Sequence, residues 1–191
     1  MKKIMMMFSA LLAVFMMSGC TAMKMGTTFM GFEPETQKAY AKMMEVVKES
    51  GDPAKAMMNE WKVSDDVSVD ELKEDIIPAL VEEYNMRLTG YVNMFTNKDA
   101  KPNEVKNARI WSVCSLPIAK EFLNHSRYFG GFMPCRIMYV EYGDGRRYLI
   151  SMDLTLAIYG GDPLPKRMLE LSKQVQKAMT EIPARAAEGD F

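Results

Sequence analysis

The segment from Ala108 to Asp153 constrains the fold of this 191-residue chain more than any other stretch. Residues 135–142 carry apolar side chains at Ile137, Met138 and Val140 and are predicted to form a β-strand, and residues 147–152 are predicted to return antiparallel to it. Between them lies Gly143-Asp144-Gly145, which favours a tight turn because these residues tolerate the positive φ angles of short hairpins. The segment therefore predicts a strand and a short helix, followed by a β-hairpin.

The rest of the chain predicts alternating helices and strands. Ser68 and Glu71 form a capping box that starts a helix over 70–84, and Pro78 is expected to kink it. The best amphipathic helix is predicted over 164–179. The other predicted elements are helices over 34–49 and 52–60, strands over 61–64, 87–96 and 109–115, a polar loop over 97–107, and a helix over 117–125 that buries Ile118, Phe122 and Leu123.

Hairpins joined through helices favour one fold class. They predict an α+β domain of two layers, with a mostly antiparallel sheet and helices on one face. The predicted domain covers residues 61–182, after a helical extension over 34–60, and a frayed tail is predicted over 183–191. Lys and Arg number 24 against 25 Asp and Glu, with no basic stripe, so the charge pattern gives no support to nucleic-acid binding.

The first 19 residues have the three parts of a signal peptide: Lys2 and Lys3, an apolar run over 4–17, and small residues before Cys20. A helix over that run spans about 21 Å, less than the ~30 Å of a bilayer core. It is therefore not a stable anchor by itself. Two glycines and little periodicity mark 20–33 as a tether.

The end of the leader, Met17-Ser18-Gly19-Cys20, resembles the lipobox of bacterial lipoproteins, in which the cysteine is diacylated and becomes the N-terminus. Two or more acyl chains suffice for stable anchoring. The resemblance implies a periplasm-facing lipoprotein attached to the membrane through Cys20. Thr21 follows the cysteine where an Asp often retains such proteins in the inner membrane, so the outer membrane is favoured.

Three segments resemble the DUF302 family, whose domain has no established function. They are Val113-Cys114-Ser115-Leu116-Pro117, Met133-Pro134-Cys135-Arg136-Ile137, and the hairpin over 139–148. The resemblance covers about 61–179 and implies a two-layer α+β fold and a homodimer. Ser115-Leu116 departs from the family's usual Asn, and no catalytic residue is carried over.

Cys114 and Cys135 are the sharpest functional candidates. With Cys20 lipidated they remain as a pair in an oxidising compartment, and three interpretations are open: a structural disulfide, two buried thiols, or a redox or metal-binding pair. No C-x-x-C motif is present, so a thioredoxin-type site is not predicted.

His125 is the only histidine and stands at the end of a predicted helix. It could serve as a general base, as an axial ligand of a noncovalent haem, or as a helix-end residue without chemistry. Structural zinc needs four ligands, and only Cys114, Cys135 and His125 are evident. The scattered methionines do not form the cluster that copper would require, so no metal or other cofactor is predicted, with haem or copper as minor alternatives.

The sequence therefore favours a lipid-anchored, non-enzymatic ligand-binding or interaction module. Its predicted site lies around Cys114, His125 and Cys135, with Pro134 and Arg136 beside the last of these. The alternative is a thiol-redox or haem- or metal-binding protein that uses the same residues. A hydrolase is not favoured, because no nucleophile and base pair can be recognised.

Overall fold

A computed structural model describes residues 21–191. The predicted signal peptide over 1–19 and the predicted lipidation site at Cys20 lie outside these residues. Residues 21–30 are helical, so the predicted tether is a helix over most of its length. Ala22, Met23, Lys24 and Met25 are good helix formers, whereas Gly26 costs about 1 kcal/mol relative to alanine. No helix within 21–191 is both long and apolar enough to cross a bilayer.

Within residues 21–191 the strands are β1 Met58–Lys62, β2 Arg87–Thr96, β3 Val105–Cys114, β4 Cys135–Tyr142 and β5 Arg147–Met152. These five strands form one antiparallel sheet in the order β1-β5-β4-β3-β2. The predicted α+β class and the β4–β5 hairpin are confirmed, and Gly145 in the turn has φ 90°.

Helices pack on one face of the sheet. The helix that begins at Val69 is interrupted by a π-helical turn over Leu72–Ile76, directly before Pro78, where the sequence predicts a kink. The capping box of Ser68 and Glu71 is also confirmed. The helices are α1 Pro34–Ser50, α2 with its regular parts Val69–Glu71 and Ile77–Glu83, α3 Leu116–His125, α4 Thr155–Tyr159 and α5 Lys166–Glu188, and short 3-10 turns cover Lys55–Met57 and Arg127–Phe132.

The core lies between the sheet and the helices. Trp111 and Ile137 face each other across β3 and β4 and are fully buried, as are Leu72 and Leu149. The opposite face of the sheet carries an apolar row with no helix over it among the described elements. This row follows the register Val92, Ile110, Met138 and Ile150 across four strands.

Two predicted boundaries near β1 and β3 are wrong. The helix predicted over 52–60 ends at Met57, because Met58–Lys62 pairs with β5 as an edge strand. The loop predicted over 97–107 is shorter, since β3 already begins at Val105 and pairs there with Tyr142. Leu123, predicted to be buried, is 45% exposed.

The predicted frayed tail over 183–191 is also wrong, because α5 continues to Glu188 through Pro183. A proline lacks the N–H that would bond the carbonyl four residues earlier, here that of Met179. The buried hydroxyl of Ser151 on β5 donates to that carbonyl instead, at 2.8 Å. The sheet thus supplies the hydrogen bond that the helix loses, and Ile182 beside the proline is fully buried.

The hairpin turn and the polar loop after β2 touch at Gly143. Its N–H donates to the Glu104 carbonyl at 3.0 Å, and the N–H of Asp144 donates to that of Pro102 at 3.2 Å. A Cβ at position 143 would lie 2.2 Å from the Lys101 carbonyl oxygen. Only glycine allows this close approach, although its φ is not positive.

Helix α1 packs on α4. The Thr36 hydroxyl donates to the Gly161 carbonyl at 2.9 Å and the Tyr40 hydroxyl to that of Gly160 at 3.0 Å. Gly51, in the left-handed conformation with φ 69°, ends α1. The N-terminal extension is therefore attached to the domain at the end of α4.

Candidate functional site

An apolar cavity of about 70 Å³ lies where β3 ends and β4 begins. This is several times the roughly 10–15 Å³ that one water needs on the same measure. Cys114 and Cys135 both line it, so the structure brings the two predicted cysteines to one site. The Ser172 hydroxyl in its wall already donates to the Met168 carbonyl at 2.7 Å. A cavity with so few free polar partners favours an apolar guest over water.

Helix α3 and the 3-10 turn after it form the aromatic wall of the cavity. The ring centroids of Phe122 and Phe129 lie 5.0 Å apart, edge to face, and those of Phe129 and Phe132 lie 6.4 Å apart. Pro117 in the first turn suits the start of α3, because a first-turn N–H has no helical partner. The cavity thus lies between the main core and a smaller cluster around Phe122.

A groove of about 760 Å³ with charged side chains in its wall lies directly beside the cavity. Arg87, Lys177 and Glu83 line the groove, together with the first residues of α3. Groove and cavity share four lining residues, namely Met86, Cys114, Ser115 and Ile118. A ligand placed across these four residues would have one end in apolar surroundings and the other among charges.

The other predicted site residues lie elsewhere. His125 is the exposed last residue of α3 and does not line the cavity, although its ring centroid is 6.2 Å from that of Phe129. Pro134 and Arg136 line a separate groove of about 220 Å³, which also contacts Met138 and Ile150. Cys135 lines both spaces, so it is the only predicted residue that connects them among residues 21–191.

The two cysteines are free thiols in the structure. Burial raises the pKa of Cys135 to about 11, and the neighbouring Cys114 adds to the effect. Burial also raises the pKa of Cys114. Both sulfurs are therefore protonated at neutral pH, whereas nucleophilic attack, disulfide exchange and metal ligation need the thiolate. Within residues 21–191, no group of three or more His, Cys, Asp or Glu is placed to hold a metal ion.

Comparison with known proteins identifies the domain around this site. The family model described as "Domain of unknown function DUF302" matches residues 60–182, which is more than half of the chain. The chain belongs to the DUF302 family. The resemblance seen in the sequence is confirmed. No functionally curated protein matches the chain.

A solved DUF302 structure has the same fold. It is described as "Crystal structure of uncharacterized conserved protein DUF302 from Bacillus stearothermophilus". The similarity has a TM-score of 0.50 at 12% identity and covers 66% of this chain and 95% of that chain. At this identity the likeness shows the fold alone. The site of this DUF302 protein must therefore be understood from its own residues.

Sequence reasoning missed most of the residues that shape the cavity. Residues 126–133 are rich in aromatic residues and glycine, but the sequence alone does not assign Phe129 or Phe132 to a site. Val175 on α5 is half-buried against the cavity, and the sequence does not single it out as a site residue. The aromatic residues around Gly130 and Gly131 were the available signal. The sequence gives no comparable signal for Arg87 and Lys177, because a single exposed charged residue is common on any protein surface.

Proposed function

We propose that this DUF302 protein is a lipid-anchored, periplasm-facing module that binds a small ligand and catalyses no reaction. One observation carries the ligand-binding part: an apolar cavity lies directly against a groove lined by charged residues, with Cys114, Ser115 and Ile118 among the side chains common to both. Small-molecule sites typically combine an apolar pocket with a few placed polar groups. The lipobox-like sequence ending at Cys20 supports the anchor.

The chemistry of the cavity supports binding over thiol catalysis. A redox-active cysteine is typically exposed and has a lowered pKa, whereas burial raises the pKa of both Cys114 and Cys135. His125, the natural general base, does not line the cavity. We therefore propose that Cys114 and Cys135 act as part of the apolar wall of the cavity.

Filling the cavity is expected to abolish ligand binding without unfolding the protein. Ala119 on α3 lines the cavity, so Ala119→Leu would place a larger apolar side chain in the space that a ligand needs. We expect 1-hexanol, used as a neutral amphiphilic probe, to bind the unaltered protein and to bind the variant at least about tenfold more weakly. Isothermal titration calorimetry measures both affinities.

The matched control is Ala41→Leu, which makes the same change at an exposed position of α1 away from the cavity. This variant should bind 1-hexanol as the unaltered protein does, and thermal unfolding checks that both variants fold. Unaltered protein that fails to bind the probe, or equal affinities in all three proteins, would show that the cavity is not a binding site.

The lipid anchor is tested separately in cells. We expect the full chain to fractionate with membranes and to require detergent for extraction, because two or more acyl chains hold a protein stably on a bilayer. The Cys20→Ser variant should appear in the soluble fraction, since the acylated thiol is gone. A variant that stays on the membrane and needs detergent would overturn this assignment, and mass spectrometry of the unaltered protein measures the lipid directly.

A further inference from the structure

The charges around the groove indicate which class of ligand the site would take. This inference rests on the proposed ligand-binding function and concerns the polar end of the ligand. Of the charged residues that line the groove, Arg87 and Lys177 are basic and Glu83 is acidic. The net charge that the groove offers to a ligand depends on which of these three charges are already neutralised by neighbouring residues.

The acidic groups near the groove are engaged by partners. The Glu83 carboxylate lies 2.6 Å from a guanidinium nitrogen of Arg185. The Glu181 carboxylate accepts a hydrogen bond from the Tyr84 hydroxyl and lies 3.8 Å from the ammonium of Lys177. The charge of Glu83 is therefore compensated by Arg185, whereas Glu181 keeps its charge but does not line the groove.

The basic groups retain more of their charge for a ligand. Within residues 21–191, Arg87 forms no ion pair, and its side chain is exposed at the start of β2. The contact of Lys177 with Glu181 is long and exposed, and such surface pairs are weak. The positive end of α3 also faces the groove, since Leu116 and Pro117 line it. Two basic residues and one acidic residue line the groove, so its lining carries a net positive charge beside the apolar cavity.

We infer that the ligand is a small anionic amphiphile, such as a short-chain aliphatic carboxylate, with its apolar end in the cavity and its anionic group between Arg87 and Lys177. The Ser115 hydroxyl lies at the junction of the two spaces and makes no capping hydrogen bond to α3, so it can donate to the anionic group. Arginine and lysine form charge-assisted hydrogen bonds with carboxylates, which are stronger than neutral ones.

Three probes with the same six-carbon chain separate the contribution of the head-group charge to affinity from that of the apolar contact. They are hexanoate, 1-hexanol and hexylammonium, measured on the full protein by isothermal titration calorimetry at pH 7 and low salt. We expect hexanoate to bind about tenfold more tightly than 1-hexanol, because exposed charge-assisted contacts contribute modestly. Hexylammonium should bind most weakly, since two like charges face it.

Two exposed substitutions assign the preference to the groove. In the Arg87→Gln, Lys177→Gln double variant, hexanoate should lose its advantage while the affinity for 1-hexanol stays unchanged. The control is Lys173→Gln, which removes an exposed charge from α5 outside the groove. This control should keep the full preference for hexanoate, apart from a small long-range effect that salt screens.

The outcomes distinguish this inference from the function on which it rests. Equal affinities for hexanoate and 1-hexanol, or tighter binding of hexylammonium, would overturn the anionic class while leaving the cavity as a binding site. A preference for hexanoate that survives in the double variant would place the anion elsewhere and overturn the role of the two basic residues. Failure of all three probes would overturn the proposed function itself.

Discussion

Replacing Trp111 with alanine is expected to lower the free energy of unfolding by about 3–5 kcal/mol. The side chain is fully buried in β3, between Tyr91 on β2 and Ile137 on β4. Its ring centroid lies 5.4 Å from that of Tyr91. Truncation would leave a cavity in the middle of the sheet, which the flanking strands cannot close. Urea-induced unfolding followed by circular dichroism measures the change.

The comparison variant is Trp111→Phe, for which we expect a smaller decrease in the free energy of unfolding than for Trp111→Ala. The indole N–H of Trp111 is buried and has no hydrogen-bond partner among the described residues. Phenylalanine keeps most of the apolar contact and removes this unpaired donor, so no hydrogen bond is lost. Equal losses for the alanine and phenylalanine variants would contradict the packing argument.

Replacing Ile182 with alanine is expected to lower the free energy of unfolding by about 2–5 kcal/mol. Ile182 is fully buried in the last third of α5, within the same core as Val63 and Leu80. Thermal or urea unfolding measures the loss.

The control is Phe191→Ala, which removes a larger apolar side chain that is 62% exposed beyond the helix. An exposed substitution of this kind should change stability by no more than about 0.5 kcal/mol. If both variants were as stable as the unaltered protein, the C-terminal part of α5 would not be packed as the structure has it.

The sequence predicts some parts of this fold and not others. The hairpin around Gly145 and the capping box at Ser68 are local signals, because a turn and a helix start are determined by a few adjacent residues. The C-terminal part of α5 could not be predicted in that way. Pro183 indicates a helix end locally, and only the hydroxyl of Ser151, 32 positions earlier in the chain, compensates for it.

The candidate site shows the same division. The sequence singled out Cys114 and Cys135 as residue types with known chemistry, and the structure places both on one cavity. It could not pair them with Lys177, because the approach of α5 to the start of α3 depends on packing between distant segments. His125 is the only histidine and lies at a helix end, but neither property determines what its side chain faces.

The contact at Gly143 has a consequence for how this corner of the domain can change in evolution. The loop over 97–104 would ordinarily tolerate insertions, since it is polar and joins two adjacent strands. Here its carbonyls at Pro102 and Glu104 bind the hairpin turn, and Lys101 leaves no space for a side chain at position 143. An insertion in the 97–104 loop therefore needs a compensating change in the hairpin turn at Gly143. We expect the two segments to change together in evolution.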